Sequence, residues 1–503
     1  MGIPRYFGSV VRELGVVSDG VPARAAAASH LCVDFNGVIY PALRRAEGEA
    51  RAAGEALANE RVYAEVWRDL EAFHSRVPAA RVFVAHDGVC PYAKVVQQRK
   101  RRLLRHLDPY EPPAPGAFDT AHVSPGTAFT EGLVRFMHAR CAERGWYYSG
   151  ADEPGEGEHK MFQWLTRRRR VGDAIDSVVI HGLDADILVL SMLWTSRRAG
   201  AGAPTFVVRE DGDATTCVDV AALRREIHTR VSPDAPEEWC VRSYCFLMSV
   251  CGNDFLPRVP GMEVSPDTCD EIASALATLV ARSRATPDLA TDAGALFELV
   301  SDLADAEDAR VAAANARYLG LATARARRGE AAPPVSPLAY AIRRARAGWR
   351  PEYHAWMCGT PDPGTVAEVA RAYLTGMTFV WEYYDRNGDG LDWRWHYPWP
   401  HAPSFRDLAN LLSGGAPETR RAPAPPISAR QQLLAITPAA SADAVVPPVL
   451  RDAYARVSAY HPRSCRVCTW GVRRFHEVVP VLPIIPVGLL ESATAPRRPE
   501  TKK

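Results

Sequence analysis

Seven carboxylates lie in five short stretches of the chain and are candidate metal ligands. They are Asp34 in LCVDFNGVIY, Asp87 in VFVAHDGVCPYAK, Glu156 and Glu158 in PGEGEHK, Asp184 and Asp186 in HGLDADILVL, and Asp254 in CGNDFLPRVP. In most of these stretches an apolar, β-branched run ends in an acid that is followed by glycine or another small residue. Buried parallel strands deliver carboxylates to the rim of a sheet in this way. Seven acids at one rim repel one another unless cations neutralise them, so the pattern predicts a divalent-metal site that acts on phosphate esters.

The spacing within the acidic stretches supports convergence on one centre. Asp184 and Asp186 are two residues apart, so on a strand or turn of period two they point the same way. The glycines beside Glu156 allow a tight turn, so that Glu156 and Glu158 can face one centre. Histidine and cysteine are sparse in these motifs, which favours two Mg²⁺ ions, with Mn²⁺ as a substitute, over zinc. One ion would orient and activate water and the other would stabilise the leaving oxygen.

A basic segment, AKVVQQRKRRLLRH, directly follows the Asp87 stretch. Lys94, Gln98, Arg101 and Arg102 have the spacing i, i+4, i+7 and i+8, which is one face of a helix. Taken alone, the segment could equally be a solvated basic face. Beside a metal site, such a face predicts a receptor for a terminal phosphate.

The composition argues against a strongly basic nucleic-acid-binding protein, a disulfide-stabilised protein and a membrane-spanning protein. The 503 residues are 47% hydrophobic and 24% charged with a formal net charge of +1, so nucleic-acid binding would depend on local patches. Eleven cysteines lack a disulfide framework, which is typical of reduced thiols in an intracellular protein. The Cys465–Cys468 pair has no second pair, so a structural zinc site is not expected there. No run is long enough to span a bilayer, and we expect a soluble monomer, in the cytoplasm rather than the nucleus.

The order of the elements predicts an α/β fold with a mostly parallel central sheet flanked by helices. Candidate strands are LCVDFNGVI, RVFVAHDG, WYYSGAD, SVVIHGLDADILVL and TFVVRED, with helical periodicity over 51–77 and 126–145 between them. We divide the chain into an α/β domain (1–264), a helical connecting segment (265–361), a largely helical second region (362–490) that completes the site, and a disordered tail (491–503). Residues 414–428 resemble a flexible, Pro-rich linker, although such segments also drape over domains.

The motifs resemble, in order, the signatures of the Xrn/Rat family of 5′→3′ exoribonucleases. These are GIPRYF, VDFNGVIY, DGVCPYAKVVQQRKRR, PGEGEHK, GLDADILVL and GNDFLPRVP, then YLTGMTFVWEYY and WRWHYPWPHAPSFRDL, and finally QQLLAITPAAS and WGVRRFHEVVPVLPII. The resemblance is collinear over nearly the whole chain. Because both conserved regions lie within residues 1–490, we expect a compact version of the family, as in a large DNA virus or a protist.

The resemblance implies a catalytic core related to flap and PIN nucleases. It implies Mg²⁺-dependent, processive removal of nucleoside 5′-monophosphates from single-stranded RNA with a 5′-monophosphate, as in RNA decay. The seven acids match the family's metal site, and Lys94, Gln98, Arg101 and Arg102 match its 5′-phosphate pocket. A pocket for one phosphate would exclude a cap or a triphosphate.

One position departs from the family pattern. Tyr40 occupies the place of a histidine that, in the family, stacks on the 5′ base. Tyrosine also offers a π face, so we expect stacking to survive without the protonatable ring. The opposing aromatic is expected from DWRWHYPW as Trp393 or Trp395, although each could equally pack in the core.

Two other functions are compatible with parts of the pattern. A structure-specific 5′ flap-type DNA nuclease shares the carboxylate site but binds duplex junctions. A non-catalytic RNA-binding regulator could retain the scaffold, but such a protein is expected to have lost acids, and all seven are present.

Overall fold

The centre of the fold is a seven-stranded sheet with the strand order β1-β7-β6-β5-β2-β3-β4. The computed structural model describes residues 6–495 except 113, 115, 198–201, 213, 331, 361, 387, 389 and 416. The strands are β1 (Val17–Asp19), β2 (His30–Asp34), β3 (Arg81–Ala85), β4 (Tyr147–Ser149), β5 (Val178–His181), β6 (Thr205–Asp211) and β7 (Ala214–Asp219), and a separate pair is β8 (Val467–Cys468) with β9 (Val479–Pro480). Strands β6, β5, β2, β3 and β4 run parallel, whereas β7 pairs antiparallel with β6 and β1.

Helices cover both faces of the sheet because its central strands are apolar on both sides. Cys32, Phe83 and Ile180 belong to one buried cluster, whereas their neighbours Leu31 and Val179 belong to a second. The helices up to residue 247 are α1 (Tyr6–Ser9), α2 (Ala23–Ala26), α3 (Asn36–Ala53), α4 (Asn59–Arg76), α5 (Tyr92–Leu107), α6 (Ala128–Arg144), α7 (Gly157–Arg170), α8 (Asp186–Ser196), α9 (Val220–Val231) and α10 (Glu237–Leu247). Period-two burial of this kind is typical of a parallel sheet between two helical layers, and it confirms the predicted fold class.

The rest of the chain is largely helical, as predicted. Its helices are α11 (Pro266–Ser283), α12 (Ala293–Asp305), α13 (Glu307–Arg327), α14 (Pro337–Ala345), α15 (Arg350–Cys358), α16 (Pro363–Arg386), α17 (Phe405–Ser413), α18 (Ala429–Ile436), α19 (Ala442–Val445), α20 (Arg451–Val457) and α21 (Val487–Thr494). Among the described residues, no helix is long and apolar enough to cross a membrane.

Strand order places a crevice beside β2. The chain runs outward from β2 through β3 to β4, then returns to β5 on the other side of β2 and continues to β6. The connections therefore leave β2 and β5 in opposite directions. In open α/β sheets this reversal creates a cleft at the carboxyl ends of the two strands, where ligands bind.

The helical region shares a hydrophobic core with the sheet domain and is held together internally by buried polar contacts. The largest hydrophobic cluster combines residues on β5, α8 and α10 with residues on α16 and α17. The fully buried Glu307 accepts hydrogen bonds from the Phe405 amide (2.6 Å) and Arg350 (2.7 Å). The Pro-rich stretch 414–428 is also attached, since the Ala424 carbonyl accepts from the Trp393 amide at 3.1 Å. The boundaries at 264 and 361 stay predictions.

Several local elements differ from those predicted. The ILVL run after Asp186 belongs to the fully buried helix α8 and is not part of a strand. Short apolar runs do not distinguish a buried strand from a buried helix, which explains the error. Residues 51–77 contain the end of α3 and all of α4, separated at Gly54, and β1 and β7 were not predicted. Of the predicted disordered tail, residues 491–494 complete α21 and 496–503 lie outside the described residues.

Candidate metal centre

Three strand ends bring four of the predicted acids to the crevice. Asp34 is the last residue of β2, and Asp87 follows the end of β3 by two residues. Asp184 lies in the loop after β5, and Asp186 is the first residue of α8. Since β3 and β5 are the two neighbours of β2, these carboxylates share one edge of the sheet.

The amino end of α7 contributes Glu156 and Glu158 to the same place. Gly155, with φ +116°, makes the turn that precedes the helix, as the sequence predicted. Gly157 allows close approach: a Cβ there would lie 2.8 Å from the Ala85 carbonyl oxygen and within 3.3 Å of Asp34 and Asp87 oxygens. Its amide donates to Asp87 Oδ1 at 2.6 Å, which locks the start of α7 to the acid after β3.

The buried amine of Lys94 bridges the acidic cluster. Lys94 Nζ lies 2.5 Å from Glu156 Oε1 and 2.6 Å from Asp254 Oδ2. Burial acts to lower the pKa of Lys94, but Asp254 and Glu156 outweigh it and raise the pKa well above its usual value. Gln97, one turn further on α5, donates to the second oxygen of Asp254 at 3.2 Å. Lys94 therefore acts as an internal counter-ion that joins α5 to the acids.

Lys94 and the nearby Lys160 do not neutralise all of the carboxylates. Burial, then Asp87 and Asp184, raise the pKa of Asp34 well above its usual value. Burial, then Glu156 and Asp186, do the same for the pKa of Glu158. Burial and Asp184 raise the pKa of Asp186 to about 7. Without a metal, the cluster therefore retains protons that solvated acids release.

Helix α16 supplies an aromatic wall to the cluster. The Tyr383 hydroxyl donates to Glu156 Oε2 at 2.8 Å, and the His159 ring stacks on Tyr383 at 3.7 Å. Burial lowers the pKa of His159 to about 3, so the ring is neutral. Both its nitrogens lack a hydrogen-bond partner among the described residues.

A turn in the GNDFLP stretch fixes the position of Asp254. The Asn253 side-chain oxygen accepts from the amides of Phe255 and Leu256, both at 2.9 Å. Gly252 precedes this turn at φ +84°. The turn holds Asp254 against Lys94, whose amine also contacts Glu156.

The donor set fits a hard divalent cation. Within the described part of the chain, Glu156, Glu158 and His159 form the one group of three potential ligands whose atoms all lie within 4.8 Å of one another. Asp186 Oδ1 is buried and has no hydrogen-bond partner among the described residues. Carboxylate oxygens with unsatisfied lone pairs suit Mg²⁺ or Mn²⁺. Cys465 and Cys468 belong to no such group within the described chain.

The predicted phosphate-binding residues occupy different environments on α5. Lys94 is buried among the acids, whereas Arg101 is exposed. Gln98 and Arg102 are half-buried, and Arg102 donates to Ser124 Oγ at 2.7 Å. Gln98 Oε1 and Arg102 Nη1 are buried atoms that lack a partner in the described chain. Arg102 Nη1 is an open donor and leaves capacity for an anion, whereas Gln98 Oε1 is an acceptor, so Gln98 could contact an anion only through its amide group.

Tyr40 lies close to Arg102. Burial lowers the pKa of Arg102, and Tyr40 acts against that change. Tyr40 itself lies on α3 and is half-buried against the second hydrophobic cluster. The base-stacking position predicted for Tyr40 is therefore adjacent to the predicted phosphate face.

The two tryptophan candidates differ in environment. Trp393 is half-buried, and its carbonyl accepts from the Tyr92 amide at 2.8 Å, which places it at the first residue of α5. Trp395 is buried in the core, with its ring 4.5 Å from Phe379 and close against Gly376. Of the two, Trp393 is the less buried and is the better candidate for contact with a ligand.

Four contributors were not identified from the sequence. They are Asn36, which donates to Asp87 Oδ2 at 2.7 Å, and Gln97, His159 and Tyr383. Asn36 follows Asp34 by two residues and His159 directly follows Glu158, so closeness in sequence to a predicted acid could have identified both residues. Tyr383 lies 227 residues from Glu156, and nothing local indicates their contact.

The fold and the site define an α/β protein with a buried carboxylate centre for divalent cations. A family model described as "XRN 5'-3' exonuclease N-terminus" matches residues 1–199, and one described as "Xrn1 helical domain" matches residues 336–499. The two together cover more than half of the chain. The chain belongs to the Xrn family of 5′–3′ exonucleases, which confirms the resemblance seen in the sequence.

Relatives align with different shares of the chain. "5'-3' exoribonuclease 1" of Homo sapiens is 24% identical over 310 residues, which are 53% of this chain and 18% of the relative. "5'-3' exoribonuclease 2" of Cryptococcus neoformans is 26% identical over 319 residues (48% and 28%). The "5'-3' exoribonuclease 2 homolog" of Drosophila melanogaster is 22% identical over 605 aligned positions (93% and 65%). The chain thus spans less than two thirds of the length of these relatives.

Metal binding should release protons below neutral pH. The raised pKa of Asp186, about 7, means that the metal-free folded protein binds more protons than the unfolded chain above the usual aspartate pKa. Rising pH therefore destabilises the metal-free fold up to about pH 7, and a divalent cation displaces the retained protons. Calorimetric titration of Mn²⁺ at about pH 6, in buffers of different ionisation enthalpy, should show proton release that falls in Asp186→Asn. Equal heats in all buffers would contradict the assignment.

Proposed function

We propose that the protein is a Mg²⁺-dependent, processive 5′→3′ exoribonuclease. It degrades single-stranded RNA with a 5′-monophosphate to nucleoside 5′-monophosphates and acts in RNA decay. The observation that carries the proposal is the bridge from Lys94 to Glu156 and Asp254, since the helix with the predicted phosphate face is bonded directly to the metal-site acids. Because the predicted phosphate face lies next to the metal-site acids, it would hold the 5′ end of the RNA beside the point of hydrolysis. Digestion would therefore proceed from the 5′ end. Monomeric state and cytoplasmic location stay predictions from the sequence.

The phosphate face supports recognition of a 5′ end. Arg102 keeps an open donor at Nη1, and Arg101 adds an exposed guanidinium. Guanidinium groups bind phosphate in bidentate fashion, and we expect this face to accept a single phosphate group. A cap or triphosphate would lack room and counter-charge there.

The acids support hydrolysis one nucleotide from that end. Bound Mg²⁺ would supply a water nucleophile and stabilise the leaving oxygen. Asp34, Asp87 and Asp186 would hold the cations at the crevice. Gly157 has no side chain, so the backbone at the start of α7 lies close to Asp34 and Asp87. Tyr383 fixes one oxygen of Glu156, so that Glu156 presents the other to Lys94 or to a metal. Neutralisation of the acids by metal would free Lys94 to contact substrate phosphate.

The direct test is digestion of 5′-monophosphorylated RNA in Mg²⁺. We expect nucleoside 5′-monophosphates as the product, and loss of activity by more than about a hundredfold in Asp186→Asn, because a ligand of the reacting centre is removed. Asp443→Asn, an exposed acid on α19, is the matched control. Failure to form mononucleotides, or faster cutting of flap DNA of equal length, would contradict the proposal.

Arg102 should carry the preference for a 5′-monophosphate. Loss of a charge-assisted hydrogen bond costs about 1.5–3 kcal/mol, so Arg102→Met should lower kcat/KM on 5′-phosphorylated RNA by roughly 10–100-fold. The slow rate on 5′-hydroxyl RNA should not change. Arg344→Met, at an exposed position on α14, is the control. An equal loss on both substrates would show that Arg102 does not read the phosphate.

Substitution of Trp393 should affect RNA binding, whereas substitution of Trp395 should affect the stability of the fold. Trp393→Ala should weaken binding of 5′-phosphorylated RNA by about 1–3 kcal/mol with little change in melting temperature, because a stacking face is lost. Trp395→Ala should instead lower the melting temperature, since truncation of a buried tryptophan costs about 3–5 kcal/mol. Tyr40→His should retain binding and Tyr40→Ala should lose it. A reversed pattern for the two tryptophans would assign the stacking role to Trp395.

A further inference from the structure

A second cavity of about 790 Å³ lies beside the metal centre. We call it the rear chamber; it is enclosed by α5, the 251–258 loop, residues 396–401 and the segment 468–480 around β8 and β9. Gln97 and Asp254, which hydrogen-bond each other, line its wall. The rear chamber is therefore contiguous with the acidic cluster, and its volume is in the range of small-molecule sites.

Helix α5 presents different faces to the rear chamber and to the predicted phosphate pocket. At about 100° per residue, Ala93, Gln97, Lys100 and Leu104 form one stripe, all in the chamber wall. Lys94, Gln98 and Arg102 form another stripe roughly a third of a turn away. Arg101 lies between them and also lines the chamber. Arg101 therefore lies at the border between the rear chamber and the predicted phosphate face.

Lys100 is a cation without a counter-ion in the rear chamber. Among the described residues, it has no hydrogen bond or ion pair, whereas Glu263 in the wall is paired with Arg258 at 3.3 Å. Burial and the neighbouring Arg99 lower the pKa of Lys100 to about 8. Burial and then Lys100 lower the pKa of His401 to about 3, so that ring stays neutral. The chamber wall also contains Asp254, Glu263, Asp267 and Glu477, but none of them pairs with Lys100 among the described residues. A half-buried ammonium group without such a pair favours an anionic ligand.

Trp399 supplies an apolar surface in the same chamber. Its ring is half-buried and makes no ring–ring contact within the described chain, whereas the nearby Trp356 is already stacked on His401 at 3.6 Å. Trp399 packs against the largest hydrophobic cluster and also lines the rear chamber, and an indole ring in the wall of a cavity that also contains a cation suits a ligand that joins a flat ring to an anionic group.

We propose that the rear chamber binds a nucleoside 5′-monophosphate, with its phosphate at Lys100 and its base on Trp399. This inference rests on the proposed function, since that ligand is the expected product. A processive enzyme keeps the RNA strand in the entrance between cycles, so the mononucleotide needs another route. The chamber lies across α5 from the predicted 5′ pocket, and Arg101 at the border provides a shared contact for the departing phosphate.

The experiment is calorimetric titration of 5′-AMP into the Asp186→Asn protein saturated with a 5′-phosphorylated oligoribonucleotide and Mg²⁺. One equivalent of AMP should still bind. Lys100→Met should weaken it by at least about tenfold, Lys100→Arg should restore it, and Arg344→Met should have no effect. Inorganic phosphate should bind about tenfold more weakly than AMP, and Trp399→Ala should remove that difference. Melting temperatures of all variants show whether they are folded.

Two results would overturn the inference. Loss of AMP binding upon saturation with RNA would mean that the rear chamber belongs to the path of the strand. Equal AMP affinity in folded Lys100→Met and in the parent would mean that Lys100 does not hold the phosphate. If the parent enzyme does not digest RNA, the proposed function fails, while AMP titration without RNA still tests the chamber through Lys100→Met.

Discussion

The buried amine of Lys94 between Glu156 and Asp254 is the contact on which the rest of the site depends. Its distances of 2.5 and 2.6 Å join three parts of the chain, which are α5, the start of α7 and the turn after residue 252. Removing one partner of such a buried pair leaves an uncompensated charge, which costs about 3–5 kcal/mol. The pair therefore fixes the relative positions of the acidic cluster and the basic helix even without bound metal.

Sheet topology explains why the acids meet where they do. The reversal of strand order at β2 opens a crevice, and the carboxyl ends of β2, β3 and β5 all face it. The helical region then closes one wall, because Tyr383 on α16 donates to Glu156 and His159 stacks on that ring. Neither half of the chain forms this arrangement alone, which fits the match of one family to both halves.

The sequence predicted the parallel sheet and most of the acid positions because both depend on local pattern. Asp34 ends a fully buried run, and Gly155 makes a turn that requires positive φ. It did not predict the ion pairs of Lys94, since helical spacing assigns a residue to a face but not to a partner. Long-range contacts such as Tyr383 with Glu156 depend on tertiary packing, and the choice between Trp393 and Trp395 depends on burial. The ILVL run was ambiguous because its apolar residues are buried on every side.

We propose that Lys94 takes the place of a metal ion within the carboxylate cluster when no metal is bound. A crystal structure of the Mn²⁺-loaded protein, with anomalous scattering recorded for manganese, tests it most directly. We expect manganese to be bound by oxygens of Asp34, Asp87, Asp186 and the Glu156–Glu158 pair, with Lys94 Nζ moved away from Glu156. Absence of manganese from the cluster, with Lys94 still bonded to both acids, would contradict it.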